Sequence, residues 1–394
     1  MPTFKYLIIG GGMTADAAVQ GIREVDPHGS IGLISRESDP PYDRPPLTKG
    51  LWKDKTIDSI WRGAAKQTAQ LHLGRTIKSL DAKQKQATDD QGTVYSFEKL
   101  LLATGGEPRV LPFGEDKIIY YRTVGDYRKL RALTEKGERF LVIGGGFIGS
   151  EIAAALAMNG KKVTLIFPGP SIGNRIYPQA LSKFLNSYYT EKGVAVVPGE
   201  TASGLEERNP ELVLKTKNGR EFASDGILAG LGIEPSADLA RDAGLQVENG
   251  IIVDEFLQTS TPDIFAAGDV ASFHNPALNQ RLRVEHEDNA NTMGKLAGRN
   301  MAGQREPYHH LPFFYSDLFD LGYEAVGELD SRLETVADWK TENREGVIYY
   351  LRAGRVRGVL LWNTWGQVNA AREIIASQRV YSAGQLKGLL PKAS

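Results

Sequence analysis

Two glycine turns are the parts of this 394-residue chain best suited to chemistry. Gly10, Gly11 and Gly12 follow the apolar run Tyr6-Leu-Ile-Ile and lead into Ala15; Gly144, Gly145 and Gly146 follow Phe140-Leu-Val-Ile and lead into Gly149. Each is a strand-type run, a glycine turn and an apolar helical stretch, the arrangement of a dinucleotide phosphate site. The first glycine permits the tight turn, the second lets the backbone approach a pyrophosphate, and the amides at the helix start face the anion. A single triplet is often an ordinary turn, but the same triplet twice in the same context predicts two bound dinucleotides.

Composition narrows what those dinucleotides do. The chain has no cysteine, which removes disulfide staples, thiolate zinc sites, cysteine-ligated iron–sulfur clusters and redox-active dithiols. If it moves electrons, an organic cofactor must hold them. Six histidines include the adjacent pair His309-His310, whose side chains point apart on a strand, so no metal site is expected. A net charge of −1 provides no field for nucleic acid, and Arg281 and Arg283 read as a solvated face. The first glycine turn comes too early for a signal-peptide core, and no run approaches the ~18–20 apolar residues of a membrane span. The expectation is a soluble, cytoplasmic protein without a membrane span.

The elements that must hold these turns are legible along the chain. Helical stretches are expected over Ala15–Ile22 and Glu151–Met158, and strands over Ile31–Ser35 and Lys162–Phe167. The loop Pro40-Pro41-Tyr42-Asp43-Arg44-Pro45-Pro46 is stiffened by proline and can hold Arg44 and Lys49 in place. Two further buried strands end in turns, at Ala103-Thr104-Gly105 and at Ala267-Gly268-Asp269. A helix over Glu287–Met301 follows, and from Gly322 the pattern changes to short β runs with a last helix over Gln367–Ser377. The fold class is therefore α/β, with two Rossmann-like dinucleotide-binding domains and a carboxy-terminal α+β domain. The expected division is a discontinuous first domain over 1–112 and 233–311, a second over 113–232, and a third over 312–394.

Two glycine turns, an Ala-Thr-Gly turn and a Gly-Asp turn, in that order, resemble the flavoprotein reductases that bind FAD in one domain and a nicotinamide cofactor in an inserted one. The segments Tyr42-Asp-Arg44-Pro-Pro-Leu-Thr-Lys49, Gly144 to Glu151, Arg283-Val-Glu285-His286, Ser316-Asp-Leu and Gly322-Tyr-Glu-Ala-Val-Gly are similar to the apoptosis-inducing factor family. The related putidaredoxin-reductase-type ferredoxin reductases usually carry Trp where His286 stands. The chain looks like a compact relative: it lacks the family's amino-terminal targeting region and long acidic carboxy-terminal insertion, and the stretch between Trp52 and Leu71 is short.

The resemblance implies roles at matching positions. Gly10, Gly12 and Ala15 would line the FAD pyrophosphate. An acid should follow the second strand to bind the adenine ribose; Arg36 holds the aligned position, and the role falls to Glu37 beside it. Thr104 and Gly105 would lie along the flavin, Asp269 would accept from a ribityl hydroxyl, and Glu285 and His286 would meet the flavin's polar edge. Tyr315 stands where the family has Trp against the flavin. Lys49 and Glu151 are the expected catalytic pair, the lysine favouring the reduced ring and the carboxylate holding the lysine and the nicotinamide carboxamide.

Gly144, Gly146 and Gly149 would cradle the nicotinamide cofactor, with Gly232 and Glu234 as a second wall. Gly169 stands where the family has the ribose-binding Glu, and Arg175 lies further along the same loop, so NADPH stays a candidate beside NADH. The activity implied is transfer of a hydride from NAD(P)H to FAD and of electrons to an acceptor the sequence does not identify: an iron–sulfur protein, a quinone or oxygen. The alternative is a redox sensor in which reduced flavin and NAD form a long-lived charge-transfer complex and a homodimer forms in response to NADH.

Overall fold

The computed structural model describes residues 1–114 and 116–391, so the last three residues of the expected carboxy-terminal domain lie outside it. The chain forms two compact units, one of residues 1–44, 56–107 and 234–313, the other of residues 45–55, 108–233 and 314–394.

The first unit is built on a seven-stranded sheet. Its central strand Thr3–Ile9 pairs in parallel with Ile31–Ser35 on one side and Val94–Leu102 on the other, and Ile264–Ala266 joins beyond the latter. These strands read as unbroken apolar runs because both faces of the sheet are covered. The covering helices Met13–Val25 and Glu287–Met301 approach each other through glycine. A Cβ on Gly21 would lie 1.9 Å from the Lys295 carbonyl oxygen, and one on Gly298 would lie 2.1 Å from that of Ala18. Small residues thus set the helix spacing.

In the second unit a five-stranded sheet runs in the order Val194–Pro198, Lys162–Phe167, Arg139–Ile143, Gly226–Ala229, Ile118–Tyr120, with the pairings parallel. The helix Phe147–Met158 lies against it and is buried continuously from Gly149 to Leu156, as its nearly unbroken apolar sequence requires. A second five-stranded sheet spans Phe313–Leu318, Leu321–Gly327, Arg355–Trp362, Glu345–Arg352 and Glu334–Thr341, with the helix Val368–Ala376 packed on it.

The expected elements are present, and the structure differs from the expectation or adds to it in places. The carboxy-terminal sheet begins at Phe313 rather than Gly322, because only the last residues of Phe313–Leu318 alternate between buried and half-buried. The helices Val124–Thr134 and Gln179–Glu191 were not anticipated. The former buries only Val124 and Leu130, so its periodicity is faint, and its clearest signal is the capping box of Thr123 with Asp126. The latter buries Leu181, Leu185, Tyr188 and Tyr189, a helical spacing that was present to be read.

Candidate functional site

Each unit contains one dinucleotide cradle. In the first, Gly10 has φ of +129°, and a Cβ there would lie 2.1 Å from the Ala103 carbonyl oxygen. Gly12 is the N-cap of Met13–Val25, no side chain caps that helix, and a Cβ at Gly12 would meet nothing within 4 Å. A helix start without a side-chain cap, with open space beside Gly12, fits a pyrophosphate. Ala15 is fully buried and fills the third position.

Gly268, with φ of +78°, closes against Thr14 in the first turn of the same helix, so Asp269 stands beside that helix start. Arg283 ties two expected residues together: Nη1 donates to the Asp269 carbonyl at 3.1 Å, and Nη2 pairs with Glu285 at 2.7 Å. This corrects the reading of Arg283 as part of a solvated face, since its side chain is only 11% exposed. His286 is the N-cap of Glu287–Met301 and makes no side-chain cap bond. In that helix's first turn Asp288, which the sequence did not single out, accepts from His310 Nε2 at 2.6 Å and from the Phe313 amide at 3.1 Å.

Glu37 is placed just past the second strand, where Tyr42 Oη donates to it at 2.6 Å and Arg44 Nη2 at 2.5 Å. Arg36 turns instead to Glu107. Thr104 donates to the Ser236 carbonyl at 2.7 Å, and Gly105 has φ of +67°.

The second cradle repeats the first with a stricter third position. Gly144 has φ of +116°, and a Cβ there would lie 2.4 Å from the Gly230 carbonyl oxygen. A Cβ on Gly149 would lie 1.8 Å from the Gly144 carbonyl oxygen, whereas one on Gly146, the N-cap of an uncapped helix, would meet nothing within 4 Å. Gly232 has φ of +84° and its carbonyl accepts from Arg109; Glu234 is exposed in the short strand Ile233–Pro235.

The same unit brings Lys49, Glu151 and Tyr315 together. Glu151, 4% exposed, accepts from Lys49 Nζ at 2.7 Å, Thr48 Oγ1 at 2.6 Å and Ser316 Oγ at 2.6 Å. Lys49 Nζ also lies over the Tyr315 ring, 5.2 Å from its centroid. The lysine's loop is clamped: Tyr121 Oη donates to the Leu47 carbonyl at 2.5 Å, Tyr127 Oη to that of Leu51 at 3.2 Å, and Asn159 Nδ2 to that of Trp52 at 3.0 Å. Thr48 and Ser316 were given no role from sequence; their adjacency to Lys49 and Tyr315 was the available signal.

The strand end Phe167 carries no acid, and Arg175 is exposed. The backbone of an acid, Glu200, two residues past the next strand Val194–Pro198, is bonded at this place. The Glu200 amide donates to the Phe167 carbonyl at 3.1 Å, and hydrogen bonds from Thr216, Asn218 and Arg220 hold the Glu200 carboxyl below the usual carboxylate range. It was missed because it lies more than thirty residues beyond Phe167, well past the loop where such an acid is sought.

Among the described residues no group of three or more metal-ligating side chains gathers, and no helix is long and apolar enough to cross a membrane.

Comparison with known proteins agrees with this arrangement. The chain matches the pyridine nucleotide-disulphide oxidoreductase family over residues 4–294 and the carboxy-terminal domain of mitochondrion-associated apoptosis-inducing factor over 297–345 and 338–377. It is 36% identical to apoptosis-inducing factor 1 of Dictyostelium discoideum, over 95% of this chain and 79% of that protein. It is 31% identical to the ferredoxin–NAD(+) reductase component of the anthranilate 1,2-dioxygenase system of Burkholderia cepacia, over 98% and 97%. Putidaredoxin reductase, solved as a covalent complex with putidaredoxin, superposes with a TM-score of 0.91 at 28% identity, over 99% of this chain and 97% of that one.

Proposed function

We propose a division of labour for a chain that belongs to the apoptosis-inducing-factor-like branch of the pyridine nucleotide-disulphide oxidoreductases and is an FAD-dependent NAD(P)H oxidoreductase. In this reading residues 1–112 and 233–311 bind FAD, 113–232 bind the nicotinamide cofactor, and 312–394 form the carboxy-terminal domain. The family's name refers to disulphide chemistry, but this chain has no cysteine, so electrons leave for an external acceptor without passing through a protein dithiol.

When bound, FAD supplies two-electron acceptance from the nicotinamide and onward delivery to the acceptor. The chain's own contribution is binding, orientation and electrostatics. Gly10, Gly12 and Ala15 would receive one pyrophosphate and Gly144, Gly146 and Gly149 the other. Glu37, Thr104, Gly105, Asp269, Glu285 and His286 would hold the flavin nucleotide, with Arg44 neutralising Glu37. Gly232 and Glu234 would complete the nicotinamide side.

The observation that carries the reading is the buried Lys49–Glu151 pair beside Tyr315. Lys49 would present to bound FAD an ammonium held in place by Glu151, favouring negative charge on the ring system, and Glu151 would offer an acceptor to the nicotinamide carboxamide. The ionised Glu200 at the end of Lys162–Phe167 supports NADH over NADPH, because a carboxylate repels a 2′-phosphate.

The acceptor class is an iron–sulfur protein, a quinone or oxygen. The match to the apoptosis-inducing factor carboxy-terminal domain favours a second reading, a redox sensor whose NADH-dependent dimerisation is the output. A cytoplasmic location belongs to the reductase reading. An anaerobic titration with NADH and with NADPH, followed by air, tests both. Bleaching that recovers promptly supports the reductase; a persistent long-wavelength band with a change in mass supports the sensor; absence of bleaching refutes the assignment of Lys49 and Glu151.

A further inference from the structure

The strand Lys162–Phe167 brings no acidic side chain to the place where a dinucleotide fold ordinarily holds a ribose, and Gly169, two residues beyond it, has no side chain at all. Another polar group takes that space. A Cβ on Gly169 would lie 2.5 Å from Asn174 Oδ1 and 3.0 Å from Asn174 Cγ. The Asn174 carboxamide therefore fills the volume into which a side chain at 169 would extend, and the two cannot coexist without a shift. Asn174 is half-buried, and among the described residues its carboxamide makes no hydrogen bond. An acceptor oxygen and a donor NH2 are thus left for a ligand.

The backbone around Asn174 is held from several directions. The Gly173 amide donates to the Gly145 carbonyl at 2.9 Å, which ties the loop to the middle glycine of the second cradle, and the Gly199 amide donates to the Gly169 carbonyl at 3.1 Å. Ser331, between the strands Leu321–Gly327 and Glu334–Thr341 of the carboxy-terminal sheet, donates twice: Oγ to the Asn174 carbonyl at 2.7 Å and its amide to the Arg175 carbonyl at 3.0 Å. Tyr350 Oη then donates to the Ile176 carbonyl at 2.8 Å. Three consecutive carbonyls are bonded in this way, while the Ile176 and Tyr177 amides turn back to the Gly173 carbonyl at 2.8 and 2.9 Å. The side chain of Asn174 is placed by its backbone rather than by a hydrogen bond of its own, so a ligand engaging it meets little ordering cost.

We infer that Asn174 takes the ribose-binding role of the missing strand-end acid, its carboxamide oxygen accepting from the 2′-hydroxyl of the adenosine ribose of NADH, and that Ser331 is the positioning residue that holds it there. This rests on the reading of residues 113–232 as the nicotinamide-binding domain. An uncharged amide supplies hydrogen bonding alone, and repulsion of a 2′-phosphate stays with Glu200 in that reading.

The test measures binding to the FAD-loaded full chain by calorimetry with three redox-inert probes: ADP-ribose, its analogue lacking the adenosine 2′-hydroxyl, and its adenosine 2′-phosphate. The parent protein is expected to bind the deoxy analogue about fivefold more weakly than ADP-ribose, the range of one neutral hydrogen bond. Asn174→Ala should bind ADP-ribose about fivefold more weakly and lose that discrimination. Ser331→Ala should lose part of it and Ser331→Thr, which keeps the hydroxyl, should regain it; a role confined to folding would move all three probes alike. Asn174→Asp carries the test if Asn174→Ala does not fold: it keeps the acceptor and the discrimination and should weaken the 2′-phosphate about tenfold through like charge. Gly146→Val, which crowds the space assigned to the pyrophosphate, should block all three probes. With Gly146→Val blocked, parent-like discrimination in Asn174→Ala, or none in the parent protein, overturns the role of Asn174 alone. Undiminished binding in Gly146→Val overturns the reading of the domain itself.

Discussion

Lys49 Nζ and Glu151 Oε2 lie 2.7 Å apart although 102 positions separate them in the chain. Their side chains are 12% and 4% exposed, so the pair is largely withdrawn from water and each charge depends on the other. Lys49→Ala is expected to slow anaerobic flavin reduction by NADH at least tenfold while leaving FAD content near that of the parent protein. Stopped-flow absorbance and the flavin-to-protein ratio measure the two effects separately, and unchanged reduction kinetics would rule out the assigned role. Glu151→Ala should be worse for stability, at about 3–5 kcal/mol, because it strands a buried ammonium and two hydroxyl donors.

The two cradles respond differently to one added methyl group. Gly149→Ala drives a Cβ to 1.8 Å from the Gly144 carbonyl oxygen, so the backbone must shift, and a loss of about 1–3 kcal/mol in chemical denaturation is expected. Gly12→Ala meets no protein atom within 4 Å and should leave the fold intact while crowding the space assigned to the FAD pyrophosphate. Parent-like melting with reduced flavin retention is the expected result for Gly12→Ala; full retention would show that the pyrophosphate lies elsewhere.

On the proposed reading, cofactor preference follows from Glu200. Hydrogen bonds from Thr216, Asn218 and Arg220 keep its carboxyl below the usual range, and its amide bonds the Phe167 carbonyl at the end of Lys162–Phe167, so on the proposed reading a 2′-phosphate bound there would meet like charge. The parent protein should prefer NADH, and Glu200→Gln should narrow the ratio of kcat/KM for NADH over NADPH about tenfold. A ratio unmoved by Glu200→Gln would return the decision to Arg175 and its loop.

Acid stability has an identifiable contributor in Asp225. Arg139, together with the amides of Glu138 and Arg139, lowers its carboxyl from 3.8 to about 2. A depressed carboxyl stabilises the fold fully above its unfolded value and loses that contribution as pH falls through its folded value. Asp225→Asn should therefore lower Tm at pH 7, and the gap to the parent protein should close between pH 3.8 and about 2. A gap that persists at the acid end would point to packing instead of charge.

By itself, the sequence determined the local parts. Both glycine turns, the strands Ile31–Ser35 and Lys162–Phe167 and the helix Glu287–Met301 were legible because apolar period and glycine placement are short-range signals. The absence of cysteine likewise settled that no protein dithiol takes part. The resemblance to known flavoproteins pointed to Lys49 and Glu151, but pattern alone would not have joined residues so distant in the chain. Tertiary structure alone decided the rest: that Tyr121, Tyr127 and Asn159 clamp the Lys49 loop, that Thr48 and Ser316 bond Glu151 beside Lys49, that Arg283 is tied to Asp269 and Glu285, and that the Glu200 amide bonds the end of Lys162–Phe167. These are hydrogen bonds from side chains and backbone amides to carbonyls and carboxylates, most of them distant in the chain, with no periodicity of their own. They exist only once the sheets have set the register that brings their partners within about 3 Å.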